Sequence, residues 1–276
     1  MDQTRERTLS VTTYSAEGLH IPSVDDEFFP KPIWFGDVLN GYFAIDRLMF
    51  IRIIMTVVLV LFFGLAMRKP KLVPSGVQNV AEMCLDFVRV NIAEEILGKK
   101  DGNRFLPLLT TIFIGVFAMN LPSVIPGMNI SPNARIGFPI VLAVLGYIAF
   151  VYAGIKASGG FFTFLKNSVV IPGLPFFLHF LVVPLEFFST FILRPVTLSI
   201  RLMANMLSGH LIMVLIFAAT NLFFWKMNAW TALSGLTLLA GVAFMLFELL
   251  VVVLQAYIFA LLSASYIELS IHADEH

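Results

Sequence analysis

Five polar side chains that can hold, pass or repel a proton sit in two stretches of otherwise apolar chain. Arg201, Asn205 and His210 fall in RPVTLSIRLMANMLSGH, which runs from Arg194 to His210, and Glu248 and Gln255 fall in FELLVVVLQAYIFALLSASYIEL, which begins at Phe247. A guanidinium stays charged throughout, whereas imidazole and carboxyl groups can exchange protons near neutral pH. An arginine in the middle of a long apolar segment costs roughly 2.5–3.5 kcal/mol on insertion scales, so it must face water or a partner. His210 and Glu248 lie to one side of it, and a further carboxylate, Glu186, precedes it by 15 residues. That order, with titratable groups on both sides of a fixed cation, suits protons moving in two disconnected steps.

Helical periodicity says how these groups are presented. On a straight helix, Arg194, Thr190, Thr197, Asn205 and Ser208 all fall within about 40° of Arg201, on one narrow face, while His210 and Ser199 point the opposite way. Glu248 and Gln255, seven residues apart, share a face of the last apolar segment. The segments 176–224 and 229–271 are each more than 40 residues long, about twice what a perpendicular span requires. No proline lies between Pro195 and Phe223, so each segment reads as one long, strongly tilted helix, and the two form a hairpin about the short loop at Trp225. Antiparallel pairing then sets His210 and Glu248 on the outer side of Arg201 and Gln255, with Glu186 on the inner side.

Composition fixes the medium in which this hairpin works. Of 276 residues, 58% are hydrophobic and 13% charged, against roughly 25% charged in an ordinary soluble domain. The chain reads as an all-α integral membrane protein of five membrane helices with one amphipathic helix on the cytoplasmic surface. Its 18 basic and 18 acidic residues balance, which argues against a nucleic-acid partner. The lone Cys84 offers neither a disulfide nor a cysteine metal site, no cofactor is implied, and nothing resembles a cleaved signal peptide.

The organisation follows from span length and the placement of basic residues. Residues 1–47, with eight acidic side chains against four basic, form an extracytoplasmic segment. A first span over 48–67 closes on Arg68, Lys69 and Lys71, which marks its end as cytoplasmic. Residues 68–104 carry seven Lys or Arg, with Val77, Val80, Cys84, Phe87 and Val88 at helical spacing, as in an amphipathic helix lying on the inner surface. A helix pair over 105–155 is followed by a cytoplasmic loop over 156–175, the hairpin over 176–271 and a cytoplasmic tail over 272–276. Arg52 and Glu268 fall near span ends.

The two polar stretches together resemble subunit a of the F-type ATP synthase, the stator half of its membrane motor. The resemblance covers most of the chain from about Leu48 and is most specific over the last hundred residues: Arg-Pro, an arginine six residues after that proline, an asparagine four later, and a glutamine in the final helix. It implies that Arg201 is the arginine facing the rotor ring, and that Asn205, Gln255, His210 and Glu248 line the outer half-channel. Glu186 resembles the acid of the inner half-channel, with a spacing to Pro195 one residue longer than in some members. Some members carry an acid just after the position of Asn120, where this chain has Ser123. The implied partners are the c-ring, b-type peripheral stalk subunits and lipid, and the implied location is a bacterial plasma membrane with the N-terminus outside. The chain is then a proton-translocating subunit and no catalyst alone, binding no nucleotide, in keeping with its lack of a Gly-rich phosphate loop. A secondary ion transporter, which should show repeated halves, and a passive structural subunit of a respiratory complex are the rival readings.

Overall fold

The computed structural model describes residues 46–68, 71, 74, 76–125, 128, 130–169, 176–225 and 231–272, without the side chains of 176–179. The acidic N-terminal segment up to residue 45, much of the 156–175 loop's end, most of the loop after Trp225 and the tail beyond His272 lie outside the described residues.

Every regular element among them is helical. Helix α1 spans Arg47–Ala66. Helix α2 (Val77–Val88) passes through a π-turn (Arg89–Glu94) into α3 (Glu95–Asn120). Two short 3-10 turns, Leu121–Ser123 and Pro132–Ala134, lead to α4 (Gly137–Ala157) and α5 (Phe161–Val169). Helix α6 (Phe176–Phe188) runs through a second π-turn (Ser189–Leu193) into α7 (Arg194–Trp225), and α8 covers Thr231–Ile271. Among the described residues, five helices are long and apolar enough to cross a membrane.

Gly98 explains how the segment ahead of α3 reaches the interior. Its φ of 72° lies in the left-handed region that glycine alone enters without strain, and the chain folds back there. Gly102 then sits so close to Ala93 that a Cβ would fall 2.7 Å from the Ala93 carbonyl oxygen. The stripe Val77, Val80 and Phe87 stays exposed, whereas Ala81, Val88, Ile92 and Leu97 are buried. The segment therefore has two apolar faces, and the helical spacing read from the sequence mixed them, taking the buried Val88 and the half-buried Cys84 together with the outward Val77, Val80 and Phe87.

The core gathers around one half of the last helix pair. Helices α3 and α4 pack on α8, and α4 also packs on α7. Ile92, Leu109, Ile112, Val116, Leu202, Ala256, Phe259, Ala260, Ala264 and Ile267 form one buried cluster. Close approach is possible because α8 presents alanines there and α4 presents Gly146, whose added Cβ would lie 3.4 Å from Ser263 Oγ. Towards the Trp225 end the cover runs out, and Leu236, Leu239 and Leu246 are each more than 60% exposed.

Helices α7 and α8 are antiparallel. Asn205 pairs with Gln255, Gly209 with Glu248, and Thr220 with Thr237, partner numbers falling as those on α7 rise. At 41 residues, α8 is about 60 Å long. That is twice the hydrocarbon thickness of about 30 Å, so a helix so apolar along its length fits a bilayer only at a steep inclination.

Candidate functional site

The site is written along α7, whose start is set by Pro195. Proline has no N–H to give to the preceding turn, and the π-turn of Ser189–Leu193 ends where α-helical geometry resumes at Arg194. Thr197 Oγ1 donates to the Leu193 carbonyl at 2.8 Å and Ser199 Oγ to that of Pro195 at 2.9 Å, so the small polar residues satisfy the helix's own backbone. From there α7 has two contrasting faces. Leu198, Ser199, Leu202, Met206, Gly209, His210 and Met213 are buried, and Arg201, Thr197, Ala204 and Ser208 are exposed.

Arg201 lies on the outward face with no hydrogen bond or ion pair to any described residue. Exposed Val196 and Ile200 flank it, so one guanidinium stands in an apolar surface. Asn205, one turn on, is half-buried and turns its amide inward, where Nδ2 donates to Gln255 Oε1 at 2.9 Å. Gln255 is only 3% exposed. This bond ties the arginine's face to α8.

His210 and Glu248 are interior groups. Glu248 is 2% exposed and its carboxyl lies directly on Gly209, where an added Cβ would collide with Oε2. No described residue hydrogen-bonds its Oε1. A carboxyl can approach the α7 backbone so closely only because residue 209 has no side chain. His210, also buried, lines a recess of about 320 Å³ with Met213, Phe217 and Asn221.

Glu186 belongs to a second cluster, on the other side of Arg201. Thr190 Oγ1 donates to Glu186 Oε1 at 3.1 Å, and Arg194 Nη2 lies 3.8 Å from the same oxygen. The Arg194 guanidinium rests over the ring of Tyr266, 5.3 Å from its centroid. The six-turn polar face expected on a straight helix breaks here: Thr190 is buried at 3% exposure, not aligned outward with Arg201. The π-turn is the cause, because its wider repeat changes the rotation of everything before Arg194.

Of the six residues singled out, the structure thus joins Asn205 to Gln255 and seats Glu248 beside His210's neighbour Gly209. It leaves Arg201 apart from all of them. Glu186 meets Arg194, about 10 Å along the helix from Arg201. Tyr266 went unnoticed, although it follows Gln255 by 11 residues and so falls within about 20° of the same face.

A buried network beside α7 also escaped the sequence. Asn133 Nδ2 donates to Asn120 Oδ1 at 2.6 Å, and Ser131 Oγ donates to the Met119 carbonyl at 2.9 Å. Ser123 donates to the Asn120 carbonyl, and Ala134 of this loop packs against Met206. The loop is anchored to α1 by Asp46–Arg135 at 2.7 Å, by Arg47 to the Met128 carbonyl and by Arg52 to the Pro132 carbonyl. Glu268 pairs with His272 one turn on.

A helical membrane chain with a lone arginine on an exposed face, backed by buried amides and a buried acid, is the class to which the family model for the ATP synthase A chain corresponds. That model matches residues 49–268, and the chain belongs to this family. Over 276 residues it is 60% identical to ATP synthase subunit a of Rhodococcus erythropolis, covering all of this chain and 98% of that one. It is 37% identical over 258 residues to ATP synthase subunit a of Pseudarthrobacter chlorophenolicus, covering 92% and 94%. With ATP synthase subunit a of Streptomyces lividans it shares 35% over 267 residues, covering 92% and 87%.

Proposed function

We propose that this subunit a supplies two offset proton half-channels that load and unload carboxylates on a rotating c-ring, so coupling proton flow to ATP synthesis. The observation that carries the reading is the exposed, unpartnered Arg201 between two separate stations of polar groups. The ring passes the outward face of α7. Protons enter from outside past His210, Glu248 and the Asn205–Gln255 pair and neutralise a ring carboxylate. Only the neutral form moves cheaply into lipid, because a bare charge pays the burial cost. After nearly a full turn the carboxyl gives its proton up at the inner station near Glu186 and is drawn as an anion to Arg201. The fixed guanidinium blocks a direct proton leak between the stations. Each proton transferred contributes about 2.3 kcal/mol per 100 mV of membrane potential.

The orientation that serves this cycle has the N-terminus outside and the C-terminus cytoplasmic in a bacterial plasma membrane, with b-type stalk subunits holding the chain against rotation. ATP-driven acidification of inverted vesicles tests the reading. Arg201→Ala and Glu248→Gln should each abolish or strongly reduce acidification in assembled complexes, and unimpaired pumping by the arginine variant overturns the motor assignment.

A further inference from the structure

We propose that Arg194 is a positioning residue for the inner proton station: clamped on Tyr266, it holds the Glu186 carboxylate on the path of proton release. The inference rests on the inner-station role assigned above to Glu186.

Three observations converge on it. Glu186 and Arg194 are eight residues apart, which on an uninterrupted α-helix would set them about 80° apart. The π-turn between them turns less per residue and returns Glu186 to the face of Arg194, where the two lie 3.8 Å apart. The pair is therefore a product of the π-turn. Second, the guanidinium is fixed from beneath by the Tyr266 ring, and Thr190 fixes the carboxylate from its own helix. Third, Arg194, Thr190 and Tyr266 border a recess of about 20 Å³ between α4, α7 and α8, lined also by Tyr147 and Ser263. That is room for about one water molecule, beside the two side chains that hold Glu186.

The charged and titratable groups around the pair are few. Arg194 comes from α7, Tyr266 from α8 and Tyr147 from α4, and α5, which packs on α6, carries only the exposed Lys166. Arg194 is thus the sole cation in contact with Glu186 among the described residues. With the guanidinium removed, only Thr190 among the described residues still holds the Glu186 carboxylate.

The test uses the whole complex in inverted vesicles, with ATP-driven pumping measured against the pH of the compartment facing Glu186, and assembly checked by membrane-bound ATPase. Arg194→Gln should lower pumping several-fold and change the shape of the pH profile, Arg194→Lys should recover most of the rate, and Glu186→Gln combined with Arg194→Gln should pump no worse than Glu186→Gln alone. A wild-type rate and profile in Arg194→Gln, or losses that multiply in the double variant, overturns the proposal. Should Arg194→Gln fail to assemble, Tyr266→Leu removes the ring and keeps the charge, and an unchanged profile there overturns it equally. Arg201→Ala run alongside separates the two readings. Pumping that survives it defeats the motor reading, whereas pumping lost there and intact in Arg194→Gln defeats this inference alone.

Discussion

Arg194 and Arg201 stand two turns apart on α7 and are held in opposite ways. Arg194 is one-quarter exposed, shares an oxygen of Glu186 with Thr190 and lies on an aromatic ring. Arg201 has an exposed side chain and nothing among the described residues to bind. The same residue type therefore does two kinds of work. In the cycle proposed above, the cation with a resident anion sets geometry within the chain, and the cation without one is kept for a group that arrives from elsewhere. An unpaired charge held in apolar surroundings is costly, and the fold tolerates it at only one of the two positions.

The contrast can be broken most decisively at Arg201 itself. Arg201→Ala should cut ATP-driven pumping by more than about a hundredfold in complexes that still assemble, since no described group could replace its charge; retention of a tenth of the rate would show that the exposed cation is dispensable. Gly209→Val comes next. The first carbon of the new side chain would already collide with the Glu248 carboxyl, so pumping should fall about tenfold or more, and Gly209→Ala should lie between valine and wild type if close packing is what places that acid. Asn205→Leu is expected to be milder. It leaves Gln255 buried without its donor, a loss of about 1–3 kcal/mol, seen as several-fold slower pumping and earlier thermal inactivation of the purified complex. Smallest of all is Ser208→Ala on the same exposed face. Among the described residues its hydroxyl bonds only the Asn205 carbonyl of its own helix, so less than a twofold change is expected, and a large loss would mean that exposure on this face matters in itself.

The readable and unreadable parts of this site divide on local physics. The outward placement of Arg201 and Ser208 followed from a 3.6-residue repeat, because α7 is a regular helix from Arg194 onward. The antiparallel pairing of α7 with α8 was legible too, but the register of Asn205 with Gln255 was not, because they stand 20 and 30 residues from Trp225. The fate of Thr190 and Glu186 did not follow, because a π-turn inserts one residue without leaving any residue type as a marker. The two-faced packing of α2 and its π-turn was hidden for a related reason: Gly98 was visible as a glycine, but its positive φ and the fold-back against Gly102 are tertiary facts. The Asn120–Ser131–Asn133 network joins residues from either side of a Pro- and Gly-marked loop, and no periodicity connects them.

The alanines at 256, 260 and 264 recur once per turn and are wholly covered. Side chains this short bring the backbone of α8 against its neighbours with little slack, so this half of the hairpin is stiff while the half near Trp225 stands without such backing. A rotor dragging on the outward face of α7 exerts an equal and opposite sideways load on the stator. In the cycle proposed above, that reaction torque is delivered beside the alanine seam, where the helix pair has the least freedom to bend away.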